Sequence, residues 1–260
     1  GRSLYPIDRP RKEKMALYCS LHPEDIISAP DVSSIYQVPL SFHRQGLCHR
    51  LIKKLKLKAK TVEIAAWEDL NKRIQAPSKP VRIGIVGKYI STGDFTLTDA
   101  YLSVLEAVKH AAWSLHRNPE IVWLNSEELE RKPKSVSTAL KDLDGIIVPG
   151  GFGTRGIEGK LLAIRYARER KMPYLGLCYG LQLAMVEFAR NVLGWKEANT
   201  TEVDPKTSHP VIQLMNEQEW RLQDKNYGGT MRLGEYPCHL KLGSIARKLY
   251  GKEVIMERHR

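Results

Sequence analysis

The sequence predicts an α/β fold, a mostly parallel sheet flanked by helices, on three observations. Short apolar runs without polar alternation recur at residues 81–86, 121–124, 144–148 and 173–177, as strands buried on both faces do. Amphipathic helical patterns at 99–116 and 158–170 lie among them, long enough to carry the chain back for another parallel strand. Three of the runs end at glycine: Gly87, then Pro149-Gly150-Gly151-Phe152-Gly153, then Gly176-Leu177-Cys178-Tyr179-Gly180.

Taken in order, Met15-Ala16-Leu17-Tyr18-Cys19 reads as a buried strand. Residues 44–60 are basic, with Leu47, Leu51, Ile52 and Leu55 near helical spacing and Arg50, Lys53, Lys54, Lys56 and Lys58 between them. That predicts a helix with a solvated basic face. Ala76-Pro77-Ser78-Lys79-Pro80 is stiff polar punctuation, and a boundary is placed there. Residues 81–86 form the first strand. The helix over 99–116 sets Leu102, Leu105, Val108, Ala112 and Leu115 on one face, with Asp99 able to cap its start. Strands at 121–124 and 144–148, a helix at 158–170 and a strand at 173–177 complete the pattern.

The chain has 260 residues, 42% hydrophobic and 27% charged, which suits a globular protein with a sizeable core and excludes fibrous and disordered classes. No run approaches the roughly 18 apolar residues of a membrane helix. Lys and Arg number 41 against 29 Asp and Glu, a net charge of +12, so the surface should attract anions such as nucleotides, phosphates or nucleic acid. No aromatic residues interleave with the charges of 44–60, which argues against nucleic acid. Cys19, Cys48, Cys178 and Cys238 form no C-x-x-C pair, so neither a zinc site nor a disulfide framework is expected, and a reducing compartment, the cytoplasm, is. The start at Gly1, with no Met and no signal-peptide core, reads as an internal start.

The chemistry centres on Leu175-Gly176-Leu177-Cys178-Tyr179-Gly180-Leu181-Gln182. A G-x-C-x-G that follows a strand and opens a helix is the cysteine form of the nucleophile elbow, in which glycines allow a sharp turn and close packing. The helix N-terminus beneath favours negative charge on sulfur, and the amide after Cys178 can donate to an oxyanion. Residues 149–153 end the neighbouring strand and can supply a second donor, although alone they could be a plain turn or a phosphate nest. Cys19, Cys48 and Cys238 lack such flanks and read as structural.

These residues carry a resemblance. Val148 through Gly153 with Arg155-Gly156, followed by Pro173 through Gln182, is similar to the glutaminase domain of the CTP synthase family, a class I glutamine amidotransferase. Ala198-Asn199-Thr200-Thr201-Glu202, Gly228-Gly229-Thr230-Met231-Arg232-Leu233-Gly234, Glu257-Arg258-His259-Arg260, Val86-Gly87-Lys88-Tyr89 and Asp31-Val32-Ser33-Ser34-Ile35-Tyr36 resemble further family segments, in order along the whole chain.

The resemblance implies the tail of a nucleotide-binding amidoligase domain at 1–58, a linker at 59–80 and a flavodoxin-like amidotransferase domain at 81–260. It implies a ligase of pyrimidine biosynthesis that aminates UTP to CTP with ATP, Mg²⁺ and ammonia from L-glutamine, with GTP as allosteric activator. Cys178 matches the nucleophile. Gly151, Tyr179, Gly180, Leu181, Gln182 and Glu202 match glutamine-binding positions, Glu202 supplying the carboxylate a substrate ammonium needs. Lys14, Asp31 and Val32 resemble nucleotide-binding positions, and Arg232 sits in the GTP-effector loop. ATP and Mg²⁺ are expected mainly on amidoligase residues before Gly1, with no metal ligand in this chain, a homotetrameric assembly, and neither nucleic acid nor membrane as partner.

The pattern also breaks. The family pairs its thiol with a histidine followed two residues later by glutamate. Of the histidines after Cys178, His209-Pro210-Val211 has valine in the carboxylate's place, and neither His239 nor His259 has an acid two positions on. Nor is there a G-x-x-x-x-G-K-[ST] phosphate loop. The chain is therefore expected to be a segment cut at both ends, with little or no glutaminase activity alone. Two other readings stand beside this one: a stand-alone γ-glutamyl hydrolase of the same elbow type, and a basic non-catalytic binding module.

Overall fold

The computed structural model describes residues 2–58, 62–76, 78–88, 91–92, 95–96, 101–151, 153–213 and 234–259. At the N-terminus two short strands, β1 (Arg2–Ser3) and β2 (Ala29–Pro30), pair in parallel around a helix, α1 (Arg9–Cys19). The expected strand at 15–19 is the end of this helix. Asp8 caps it by accepting from the Arg11 N–H, Pro10 sits in the first turn, and none of its residues is β-branched, so local propensity and capping both favour helix. Only Ala16 of the apolar run is buried, and Cys19, expected to be structural, is exposed.

The basic segment is helical but divided. α2 (Val38–Arg44) and α3 (Leu47–Lys54) meet at Gly46, whose φ of 75° makes the corner, and Lys56 at φ 51° ends the second helix. The stretch 59–80 carries an 11-residue helix, α4 (Ala65–Gln75), rather than open chain. Asn71 anchors it, buried, donating from Nδ2 to Tyr36 O at 2.6 Å and Trp67 O at 2.9 Å. Lys79 and Pro80, expected as punctuation, already belong to the first core strand, β3 (Lys79–Gly87).

Two-residue strands β4 (Ser91–Thr92) and β5 (Phe95–Thr96) follow, then α5 (Leu102–Ser114), β6 (Arg117–Asn125), α6 (Ser126–Arg131), α7 (Val136–Leu140), β7 (Gly145–Val148), α8 (Ile157–Glu169), β8 (Tyr174–Gly176) and α9 (Tyr179–Asn191). The strands form a parallel sheet in the order β6-β3-β7-β8, with Ile83 opposite both Ile121 and Gly145, and Ile146 opposite Tyr174. The fold class read from the sequence is therefore the one adopted. Successive strand residues serve opposite faces: Val86, Ile146 and Val148 pack with Ile157, Leu161, Leu183 and Val186 of α8 and α9, while Ile85 and Ile147 pack with Leu105 of α5.

The second strand runs from Arg117 because its backbone pairs with β3 at every position from Lys79 to Gly87, well beyond its apolar centre. The α5 stripe holds in the middle, where Leu105 and Ala112 are buried and Val108 packs against the core. It fails at Leu102, the first helical residue, and at Leu115, past the last, both exposed. Asp99, the expected cap, lies outside the described residues. After α9, β9 (Ala198–Thr200) pairs in parallel with β10 (His209–Ile212), and β11 (Gly234–His239) pairs antiparallel with β12 (Val254–His259). No helix of the described residues is long and apolar enough to cross a membrane.

Candidate active site

In the order β6-β3-β7-β8 the chain leaves β3 to one side and returns to the other. Crevices at the carboxyl ends of such strands are where open α/β sheets bind ligands. Lys88, the loop after Val148 and Cys178 lie at those ends.

Cys178 is the second of the two residues between β8 and α9, at φ 53° and ψ −110°, with its side chain exposed. A non-glycine residue held there costs on the order of 1–3 kcal/mol and persists only where its surroundings over-determine it. They do: the Leu177 N–H donates to Val148 O at 3.0 Å and the Gly180 N–H to Leu177 O at 2.9 Å. The flanking glycines work by proximity rather than by unusual φ. A Cβ on Gly180 would lie 1.9 Å from Val148 O, and one on Gly176 2.6 Å from the Leu181 nitrogen. Tyr174, which sequence reasoning did not single out, ties the elbow down by donating to Gly180 O at 2.7 Å; burial, then Glu187, raises its phenol well above the usual value.

The loop after β7 lies against the thiol, since a Cβ on Gly150 would be 3.3 Å from Cys178 Cβ and 3.8 Å from Sγ. Gly151 follows it, and Phe152 lies outside the described residues. The Gly153 N–H donates to Glu202 Oε1 at 3.2 Å, while Lys88 Nζ donates to Gly153 O at 3.4 Å. Glu202 sits in the turn after β9, its own N–H held by Thr200 Oγ1 at 3.0 Å. Cys178 O accepts from the Leu181 and Gln182 N–H groups at 3.1 and 3.3 Å, closing the first turn. The Tyr179 N–H has no acceptor among the described residues, as suits an oxyanion donor. Thus the structure gathers the glycine loop, Cys178, Tyr179, Gly180 and Glu202, whereas Leu181 turns its side chain to solvent.

Beneath this surface lies a feature missed in the sequence: Lys160, 1% exposed, with Nζ 5.8 Å from the Tyr179 ring centroid. Burial and then the Lys88 charge push its ammonium down to about 8. Burial and then Glu202 push the Tyr179 phenol up to about 12. The available signal was positional, for Lys160 falls on the stripe of Ile157, Leu161 and Ile164. A second buried charge, Glu187, receives Arg168 through Nε at 2.9 Å and Nη2 at 2.8 Å, locking α8 to α9.

The remaining candidates are placed as follows. Lys14 is exposed on α1, Asp31 is ion-paired with Arg2 at 2.9 Å, and Val32 borders a cavity of about 560 Å³ with Ser41, Arg44, Asn71 and Lys72. Among the described residues no hydrogen bond joins Lys14 to Asp31 or Val32. Arg232 lies outside the described residues. His209 stacks on Trp195 at 5.2 Å and meets Ser208 Oγ at 2.9 Å, while His239 and His259 lie in the β11–β12 hairpin pair. All four cysteines are free.

Residues 96–260 match the family Glutamine amidotransferase class-I, and residues 1–57 match the family CTP synthase N-terminus. The CTP synthase of Carboxydothermus hydrogenoformans is 49% identical over 260 residues, spanning 100% of this chain and 47% of the relative. That of Thermococcus gammatolerans is 46% identical, again over 100% of this chain and 47% of the relative. The chain thus spans about half the length of the curated relatives it matches. Among solved structures, the Trypanosoma brucei CTPS glutaminase domain with bound acivicin superposes with a TM-score of 0.58 at 37% identity, covering 69% of this chain and 66% of that one. Matches at both ends, and identity along all of its length, agree on one kinship: the chain belongs to the CTP synthase family and carries its class-I glutamine amidotransferase portion.

Proposed function

We propose that this chain contributes the glutamine-hydrolysing site of a CTP synthase, with Cys178 as nucleophile. The observation that carries the reading is an exposed thiol at φ 53° at the mouth of a helix, with the glycine loop so close that a Cβ added at Gly150 would stand 3.8 Å from its sulfur. Sγ attacks the amide carbon of glutamine, and the N–H groups of Gly151 and Tyr179 hold the oxyanion. Glu202 receives the substrate ammonium, Gly180 and Gln182 shape the floor together with the backbone of Leu181, and ammonia leaves with the thiol proton. Water then cleaves the thioester to glutamate. The proton's carrier is the histidine of the family's His-x-Glu pair, a pattern that none of the histidines after Cys178 shows.

In the whole protein, ammonia aminates UTP at a 4-oxygen activated by ATP, giving CTP, with GTP stimulating hydrolysis through the loop of Arg232 and with tetrameric assembly. Lys14, Asp31 and Val32 would meet nucleotide. Among the described residues no group of three or more His, Cys, Asp or Glu could hold a metal ion. Mg²⁺ and ATP are assigned mainly to the amidoligase portion of the whole protein, and no step above passes through the metal.

Acivicin, the compound bound in the trypanosomal domain, tests the reading. It should add one adduct, on Cys178, that glutamine suppresses and Cys178→Ala abolishes. Adducts on Cys19, Cys48 or Cys238 instead would refute it. The 260-residue polypeptide alone should release little or no ammonia; Cys178-dependent release would overturn that expectation.

A further inference from the structure

Lys160 is a stability liability that the fold does not need. It lies 1% exposed on the core face of α8, among Ile157, Leu161 and Ile164, and Nζ has no hydrogen-bond partner among the described residues. An ammonium so enclosed costs several kcal/mol that an apolar side chain of similar length would not. What it faces is the ring of Tyr179, 5.8 Å away, inside the roughly 6 Å range of a cation–π contact. Tyr179 is itself 2% exposed, and its hydroxyl also lacks a hydrogen-bond partner among the described residues, so the ring is held by packing and by this cation.

Tyr179 is the residue after the nucleophile. On its other side Gly180 is pinned to β7, where even a methyl group would sit 1.9 Å from Val148 O. The peptide joining Cys178 to Tyr179 is thus fixed at its helical end by Gly180, and its remaining freedom is governed by the Tyr179 side chain. We propose that Lys160 is a positioning residue, whose ammonium holds the Tyr179 ring and thereby aims the Tyr179 N–H at the oxyanion formed on Cys178. Lys88, which donates to Gly153 O on the glycine loop, adds a like charge that disfavours the Lys160 ammonium. With the ammonium titrating at about 8, the cation persists at neutral pH. The proposal rests on Cys178 being the nucleophile.

The test is steady-state ammonia release by the protein in its full native length, with Lys160→Met, Lys160→Arg, Tyr179→Leu and the double Lys160→Met/Tyr179→Leu. Misaiming one oxyanion donor should lower kcat roughly 10- to 100-fold in Lys160→Met, with KM for glutamine within about twofold. Lys160→Arg should recover most of kcat, and the double variant should lose no more than the worse single one. Meanwhile Lys160→Met should melt at a higher temperature, a change that a merely structural lysine would also show but without the loss of kcat. Unchanged kcat in Lys160→Met, or additive losses in the double variant, overturns the proposal while Cys178→Ala still abolishes activity. Ammonia release that survives Cys178→Ala overturns the nucleophile reading, and this proposal with it.

Discussion

Replacing Lys160 with methionine should stabilise the protein in a pH-dependent way. The amine titrates at about 8 when folded against an ordinary value of 10.5. Between those values the unfolded chain holds more protons than the folded one, so stability rises with pH from about 8 to 10.5 and the full penalty stands below 8. The depression corresponds to roughly 3 kcal/mol. Methionine forfeits the contact with the Tyr179 ring, roughly 0.5–1 kcal/mol, leaving a net gain of about 2 kcal/mol at pH 7. Urea unfolding of both proteins at pH 7 and at pH 10 reads this directly. The difference should be large at pH 7 and should shrink toward zero at pH 10, and at pH 7 the melting temperature should rise by several degrees. A variant less stable than its parent at pH 7, or a difference that does not change with pH, would refute the reasoning.

Gly180→Ala puts a methyl group 1.9 Å from Val148 O and should cost at least roughly 3 kcal/mol, seen as a lowered melting temperature; a melt within a degree or two of the parent would show that the elbow can yield. Arg168→Met strands the buried Glu187 carboxylate and should cost about 3–5 kcal/mol by denaturant titration, most of it regained in Arg168→Met/Glu187→Met. Tyr36→Phe removes a hydroxyl that donates to Glu106 at 2.6 Å and meets His110 Nε2 at 2.5 Å, joining the N-terminal segment to α5. It should cost roughly 1–2 kcal/mol, and equal unfolding midpoints would refute that. Glu202→Gln should raise KM for glutamine roughly tenfold or more while kcat changes little, because it removes charge from the ammonium's partner.

Hydrophobic patterning served well where a segment was buried on both faces. Past Arg82 and Asp144 at their starts, residues 83–86 and 145–148 have no polar face, and no helix of that length could bury them all round, so a parallel sheet followed. It served badly at 15–19, where an equally apolar run is the exposed end of a helix. Apolar composition there reports neither period nor burial, and the deciding facts were the cap at Asp8 and the absence of β-branched side chains. Lys160 escaped notice for a related reason. A lysine on an amphipathic helix is ordinarily solvated, and its burial depends on α9 lying across α8, which no local pattern encodes.

The sequence by itself determined the α/β class, the glycine-cysteine-glycine elbow, the loop after the third long strand and the family kinship, because each rests on short-range rules: strand period, turn sterics and residue order. Tertiary structure alone decided that Gly150 stands against the thiol, that Glu202 reaches the Gly153 amide across 49 residues, and that Lys160 lies under Tyr179. Those contacts join elements distant along the chain, and their energy comes from packing and desolvation, which exist only once β7, β8, α8 and α9 have come together.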